Sequence, residues 1–133
     1  MEKVILKNLE SKVGKRLITL KGEIEHYTEA FNQGYDEFFL WYAEEMFKYK
    51  KEYAYYSYLM QLVKLEDLEM VKEHLRHCVE HLTDDIMYGS LRRSSSNDMV
   101  NLAHILELEV KQKIVKSFAC FLREIDEIES KKQ

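Results

Sequence analysis

The sequence predicts an all-α protein: an antiparallel up-down-up-down bundle of four long helices in one domain, residues 1–133. Two observations predict it. The chain has no proline in 133 residues, so no ring interrupts a helix anywhere. Apolar residues also recur at steps of three and four almost from end to end, which is the period of a helix face and not of a strand. A hydrophobic content of 46% with 33% charged residues suits a soluble domain with a self-sufficient core.

The first helix is predicted over about 4–33. Leu6, Leu9, Val13, Leu17, Leu20, Ile24, Tyr27 and Phe31 form its stripe. Gly14 and Gly22 fall outside the stripe, and each costs up to about 1 kcal/mol relative to Ala. A kink near Gly14, or a short irregular N-terminal stretch, is the expected departure. Gly34 suits a C-cap and Asp36 the next N-cap.

The second helix is predicted over about 36–63. Phe39, Tyr42, Met46, Tyr49, Tyr53, Tyr56, Met60 and Val63 line one face, while Trp41, Phe47, Tyr55, Tyr58, Leu59 and Leu62 add apolar surface elsewhere. A helix apolar on so many sides is either central or shares a face with another subunit. Five of the nine tyrosines lie between Tyr49 and Tyr58, and tyrosine suits a wet-edged interface because its ring packs while its hydroxyl stays hydrated. Trp41, Tyr49, Tyr55, Tyr58 and Leu59 are therefore the expected interaction residues, a ligand pocket or base-stacking platform being the alternative.

Residues 64–67 hold no Gly or Pro and only Asp67 as a cap, so both a tight turn and a continuous helix fit. The third helix is predicted over 67–88, with Leu68, Val71, Leu75, Cys78, Leu82 and Ile86 as its stripe and Gly89 ending it. Residues 89–96 read as a polar, locally basic connector, in which Arg92-Arg93-Ser94-Ser95 also fits a kinase site. Ser96 or Asn97 can cap the fourth helix, 97–129, which carries Met99, Leu102, Leu106, Val110, Ile114, Phe118, Phe121, Ile125 and Ile128.

Cys78 and Cys120 match no metal or disulfide spacing and read as reduced thiols of a cytoplasmic protein. No segment approaches the ~20 apolar residues that span a membrane, so no membrane partner is expected. The net charge of −4 lacks the basic footprint that phosphate binding requires.

Two patterns carry candidate chemistry. Stacked as an up-down bundle, the helices bring His26, Glu45, His81 and His104 to one level, roughly 12 Å from one end at ~1.5 Å per residue. Glu44 lies at that level too. Glu23 and His26 form a Glu-x-x-His pair beside the first stripe, and His74, His77, His81 and Asp85 line one flank of the third helix. Glu107 shares the apolar arc of the fourth with His104. Carboxylates and imidazoles so placed are the ligand types of di-iron, manganese and zinc sites. A His on the first helix, the His77-x-x-x-His81 pair and His104 followed by Glu109 resemble hemerythrin-like bundles. That family's His-x-x-x-Glu pair on the second helix has no counterpart, because this helix lacks histidine. Under a metal-binding reading the candidate ligands are His26, Glu45, His77, His81, His104 and Glu107; the other reading is a metal-free layer of solvated or salt-bridged side chains.

The second pattern is Arg76-His77-Cys78-Val79-Glu80-His81. An Arg followed by four residues and then His resembles the signature of the HEPN family of all-helical ribonucleases. The resemblance implies that Arg76 holds a phosphate and His81 serves as acid or base on a 2′-hydroxyl, with RNA as partner. No Ser-His-Asp constellation or glycine-rich phosphate loop is present. The leading expectation is a non-enzymatic module without a cofactor, working by protein–protein interaction or self-association as a dimer or higher oligomer.

Overall fold

A computed structural model describes residues 1–89 and 97–131. Among these the chain is all-helical with no strand: α1 (Glu2–Gln33), α2 (Tyr35–Trp41), α3 (Ala43–Val63), α4 (Leu68–Gly89) and α5 (Asp98–Ser130). No helix among the described residues is long and apolar enough to cross a membrane.

α1 runs unbroken through both glycines, so the expected kink near Gly14 does not form. Gly14 faces Met60, whose Cε would stand 3.5 Å from a Cβ at that position, and Gly22 faces open space. Burial of Ile5, Leu6, Leu9, Val13 and Leu20 outweighs the glycine penalty, since each such side chain contributes about 1.5–3 kcal/mol.

The helix expected over 36–63 is two helices. Tyr42 departs from helical geometry (φ −124°, ψ −14°), although its N–H still donates to Phe38 O and its carbonyl accepts from Met46. The break sets the short α2 against the end of α1, where Phe38 buries itself edge-on against Phe31 (5.1 Å). Gly34 makes the turn between α1 and α2 in an extended conformation (φ −154°), which any residue adopts, and Asp36 makes no cap hydrogen bond.

Residues 64–67 are a tight turn. Lys64, Leu65 and Glu66 N–H groups donate back to Met60, Leu62 and Val63 carbonyls at 3.0–3.1 Å. Asp67 Oδ1 then accepts from Met70 N–H (3.2 Å), starting α4. Glu66 sits at φ 60°, a left-handed conformation that costs an L-residue about 1–2 kcal/mol. Glu66→Gly is expected to stabilise the fold by about 1 kcal/mol, after the glycine's extra unfolded-state entropy. Urea denaturation checks it: the midpoint rises with an unchanged m-value.

Asn97 caps α5 as expected, accepting from Met99 and Val100 N–H at 2.9 and 3.2 Å. The kinase-type segment Arg92–Ser95 and the alternative cap Ser96 lie outside the described residues.

One buried cluster joins the four long helices. It includes Val13 and Leu20 of α1, Tyr56 and Leu59 of α3, Val71 and Leu75 of α4, and Ile114 and Phe118 of α5. α1 and α3 are antiparallel: Gly14 meets Met60, Arg16 meets Glu52, and Tyr27 meets Tyr49. α4 and α5 are antiparallel too, with Lys72 on Glu129, Asp85 on Lys111 and Gly89 on His104. Phe38 is buried outside the main cluster, so α2 is held by its own aromatic contacts.

Candidate interaction surface

The expected polar layer does not come together: His104 stands beside Gly89 and Asp85 beside Lys111, which leaves His81 about two helical turns from His104. Among the described residues no three His, Cys, Asp or Glu side chains are grouped to hold a metal. Lysines take the carboxylates instead. Glu45 pairs with Lys48 (3.0 Å) and Glu107 with Lys51 (3.2 Å), while Glu109 shares Lys48 (3.3 Å). Hydrogen bonding to Glu45 and then to Glu109 holds the Lys48 ammonium above its ordinary pKa, against its partial burial. His26 is exposed with its ring against Tyr27, and His104 lies 3.4 Å from the Gly89 carbonyl. His77 and His81 do meet, their rings stacked at 5.5 Å, and His81 is 3.9 Å from Asp85.

Arg76 and His81 are both exposed on α4. Five residues separate them, so they project about 140° apart around the helix axis. Among the described residues no hydrogen bond or ion pair joins them.

Cys78 and His74 are in contact, with Sγ 3.4 Å from Nε2. Burial pushes the thiol up and the imidazole down, the latter helped by His77. Both shifts favour neutral groups, so the pair does not supply a thiolate nucleophile at neutral pH.

The five expected interaction residues divide. Leu59 is fully buried in the core and is not a surface residue. Tyr49 stacks on Tyr27 (5.8 Å), and Tyr55 is half-buried, its phenol raised by burial first. Tyr58 is exposed, with its ring 4.9 Å from His74. Trp41 is 72% exposed and stands far along the molecule from Tyr58.

Around Trp41 the structure assembles what the sequence left scattered. Phe31 contacts Tyr35 (5.1 Å) and Phe39 (6.4 Å), and Tyr35 contacts Phe39 (4.9 Å), yet all three remain exposed. Leu40, next to Trp41, is 74% exposed. Tyr27 meets Tyr42, Lys48 meets Glu109 and Lys111 meets Asp85, which sets the levels of the helices. The exposed Met87, Tyr88, Met99 and Val100 therefore belong to the same end. A monomer gains nothing from such a concentration of apolar surface in water.

No family model, curated protein or solved structure matches the chain.

The aromatic end also carries a charge asymmetry. Among the described residues, 22–47, 80–89 and 97–110 form this end and contain thirteen Asp and Glu and no Lys or Arg; the sequence segment 90–96, outside the described residues, adds Arg92 and Arg93. The other described residues, 1–21, 48–79 and 111–131, contain seventeen Lys and Arg against eleven Asp and Glu. Four of the thirteen carboxylates, on Glu45, Asp85, Glu107 and Glu109, are met by lysines from the next level. The other nine have no ion pair among the described residues. A run of 26 residues from Gly22 to Phe47 without Lys or Arg is visible in the sequence. Its meaning depends on α4 and α5 bringing their own acidic ends alongside.

Proposed function

We propose that the protein is a non-enzymatic interaction module. Its four long helices form the up-down-up-down bundle, α2 lies across one end, and that end docks against a protein surface. The carrying observation is the exposure of Phe31, Tyr35, Phe39, Leu40 and Trp41 together on and beside a seven-residue helix. Interface cores are enriched in aromatic residues, and rigid exposed rings give contact area at low entropic cost.

Ile18 is as exposed as Trp41, at 75%, but lies on the other half of α1. A photo-crosslinking amino acid at each position therefore gives a comparison controlled for exposure. Expressed in cells, the position-41 variant is expected to form discrete protein-sized adducts, to itself or to another chain, and the position-18 variant not to. Equal adduct patterns, or none at position 41, would remove the reading.

A further inference from the structure

We infer that the occupant of the aromatic end is a cationic apolar protein segment, such as an amphipathic helix carrying Lys and Arg beside an apolar stripe. This rests on the reading of that end as an interaction surface and adds the chemistry of the partner. The exposed rings supply an apolar platform. Around it stand Asp36 and Glu37 on α2, Glu44 one turn beyond Leu40, Asp84 one turn before Tyr88, and Asp98 beside Met99. All five are exposed, and none has an ion pair among the described residues.

Charge complementarity selects among occupants. A second copy docked through the same face by two-fold symmetry brings the five carboxylates around the platform against five more, which the two arginines of the sequence segment 90–96, Arg92 and Arg93, do not balance. Nucleic acid and anionic lipid surfaces meet the same repulsion. A Lys- or Arg-bearing segment is attracted instead. Its side chains can also lie over the exposed rings, where a cation is favoured by the aromatic face. The apolar platform gives affinity and the carboxylates give selection and orientation.

The protein carries its own reporter, because its single tryptophan is Trp41. Three synthetic helical peptides of one length and one leucine stripe, with polar faces of Lys, Glu or Gln, serve as probes. The Lys peptide is expected to blue-shift Trp41 emission with micromolar affinity, and the Glu and Gln peptides at least tenfold more weakly. The triple variant Glu37→Gln, Glu44→Gln, Asp84→Asn is expected to lose about tenfold in affinity for the Lys peptide. That corresponds to about 0.5 kcal/mol for each exposed carboxylate. Phe39→Ser with Leu40→Ser is expected to abolish the shift, and circular dichroism reports whether that variant remains helical.

Tighter binding of the Gln or Glu peptide overturns the cationic partner and leaves the surface reading standing. So does a blue shift that grows with protein concentration alone, or one produced by phosphatidylserine vesicles and not by the Lys peptide. A Trp41 signal unmoved by every probe overturns both.

Discussion

Phe118→Ala is expected to cost about 3–5 kcal/mol, the usual loss for truncating a large buried aromatic. Phe118 is 0% exposed and sits where three helices meet. Its ring is edge-on to Tyr56 of α3 (5.8 Å, 85°), 6.4 Å from His74 of α4 and 6.1 Å from Phe121 of its own helix. Removing it takes away both the transfer free energy of the ring and these oriented contacts, and leaves a void that long helices cannot easily collapse around. A domain of this size is stable by about 5–15 kcal/mol, so roughly a fifth or more of the total is at stake. Melting is expected to fall by about 10–20 °C. Phe118→Leu keeps most of the volume and is expected to lose less than half as much. A truncation that costs under about 1 kcal/mol in urea denaturation would contradict the placement of this ring at the centre of the core.

The second large effect concerns a buried charge. Glu52 is only 4% exposed, on the core face of α3 one turn before Tyr56. Its carboxylate is held by Arg16 of α1, with Nη2 at 2.6 Å and Nε at 3.2 Å from the same oxygen. Arg16→Met removes the cation and leaves a carboxylate with little water around it. Breaking a fully buried pair from one side costs about 3–5 kcal/mol. Arg16 is itself partly exposed, so water can reach the vacated side, and about 2–3 kcal/mol is expected. The double variant Arg16→Met, Glu52→Leu is expected to recover most of that loss, because two apolar groups need no partner. Chemical denaturation of the two singles and the double closes the cycle. If Arg16→Met alone lost under about 0.5 kcal/mol, Glu52 would have to be solvated, and the α1–α3 register would be in doubt.

Glu52 also shows where sequence reading reaches its limit. The period of α5 was legible from Leu106 onward, where Leu106, Val110, Ile114, Phe118 and Ile125 are all buried, whereas Met99 of the expected stripe is exposed. The caps at Asp67 and Asn97 were equally legible, because a short polar side chain there has a backbone N–H to bind. The second helix was different. The expected face held Tyr49, Tyr53, Tyr56, Met60 and Val63, of which Tyr56 and Val63 are buried and the others pack partly buried against the core, while Glu52 and Leu59 take the remaining buried positions. A segment apolar all round leaves its rotation undetermined, and a glutamate at the core position points a sequence reader the wrong way. The bend at Tyr42 had no Gly or Pro to announce it. It follows from packing between α1 and α2, which a local pattern does not encode.

The candidate ligands failed for a related reason. Counting residues put them at one level, but the pairing of α4 with α5 sets His104 beside Gly89 and not beside His81, and which carboxylates stay free depends on which lysines reach them. Lys48 and Lys51, one and two turns along α3, take Glu45, Glu107 and Glu109. Counting gives height along one helix; only the assembled structure shows how the helices are set against one another and who has already been claimed.

The separation of charge between the two halves gives the molecule a permanent electric dipole along its long axis, on top of any contribution from the individual helices. In an approaching field such a body turns before it touches. A positively charged partner is met end-first, with the rings of α2 already facing it, and much of the orientational search is over before contact. Dissolved salt shortens the reach of that alignment to about a Debye length, so ionic strength sets how often encounters succeed more than how long a docked complex lasts.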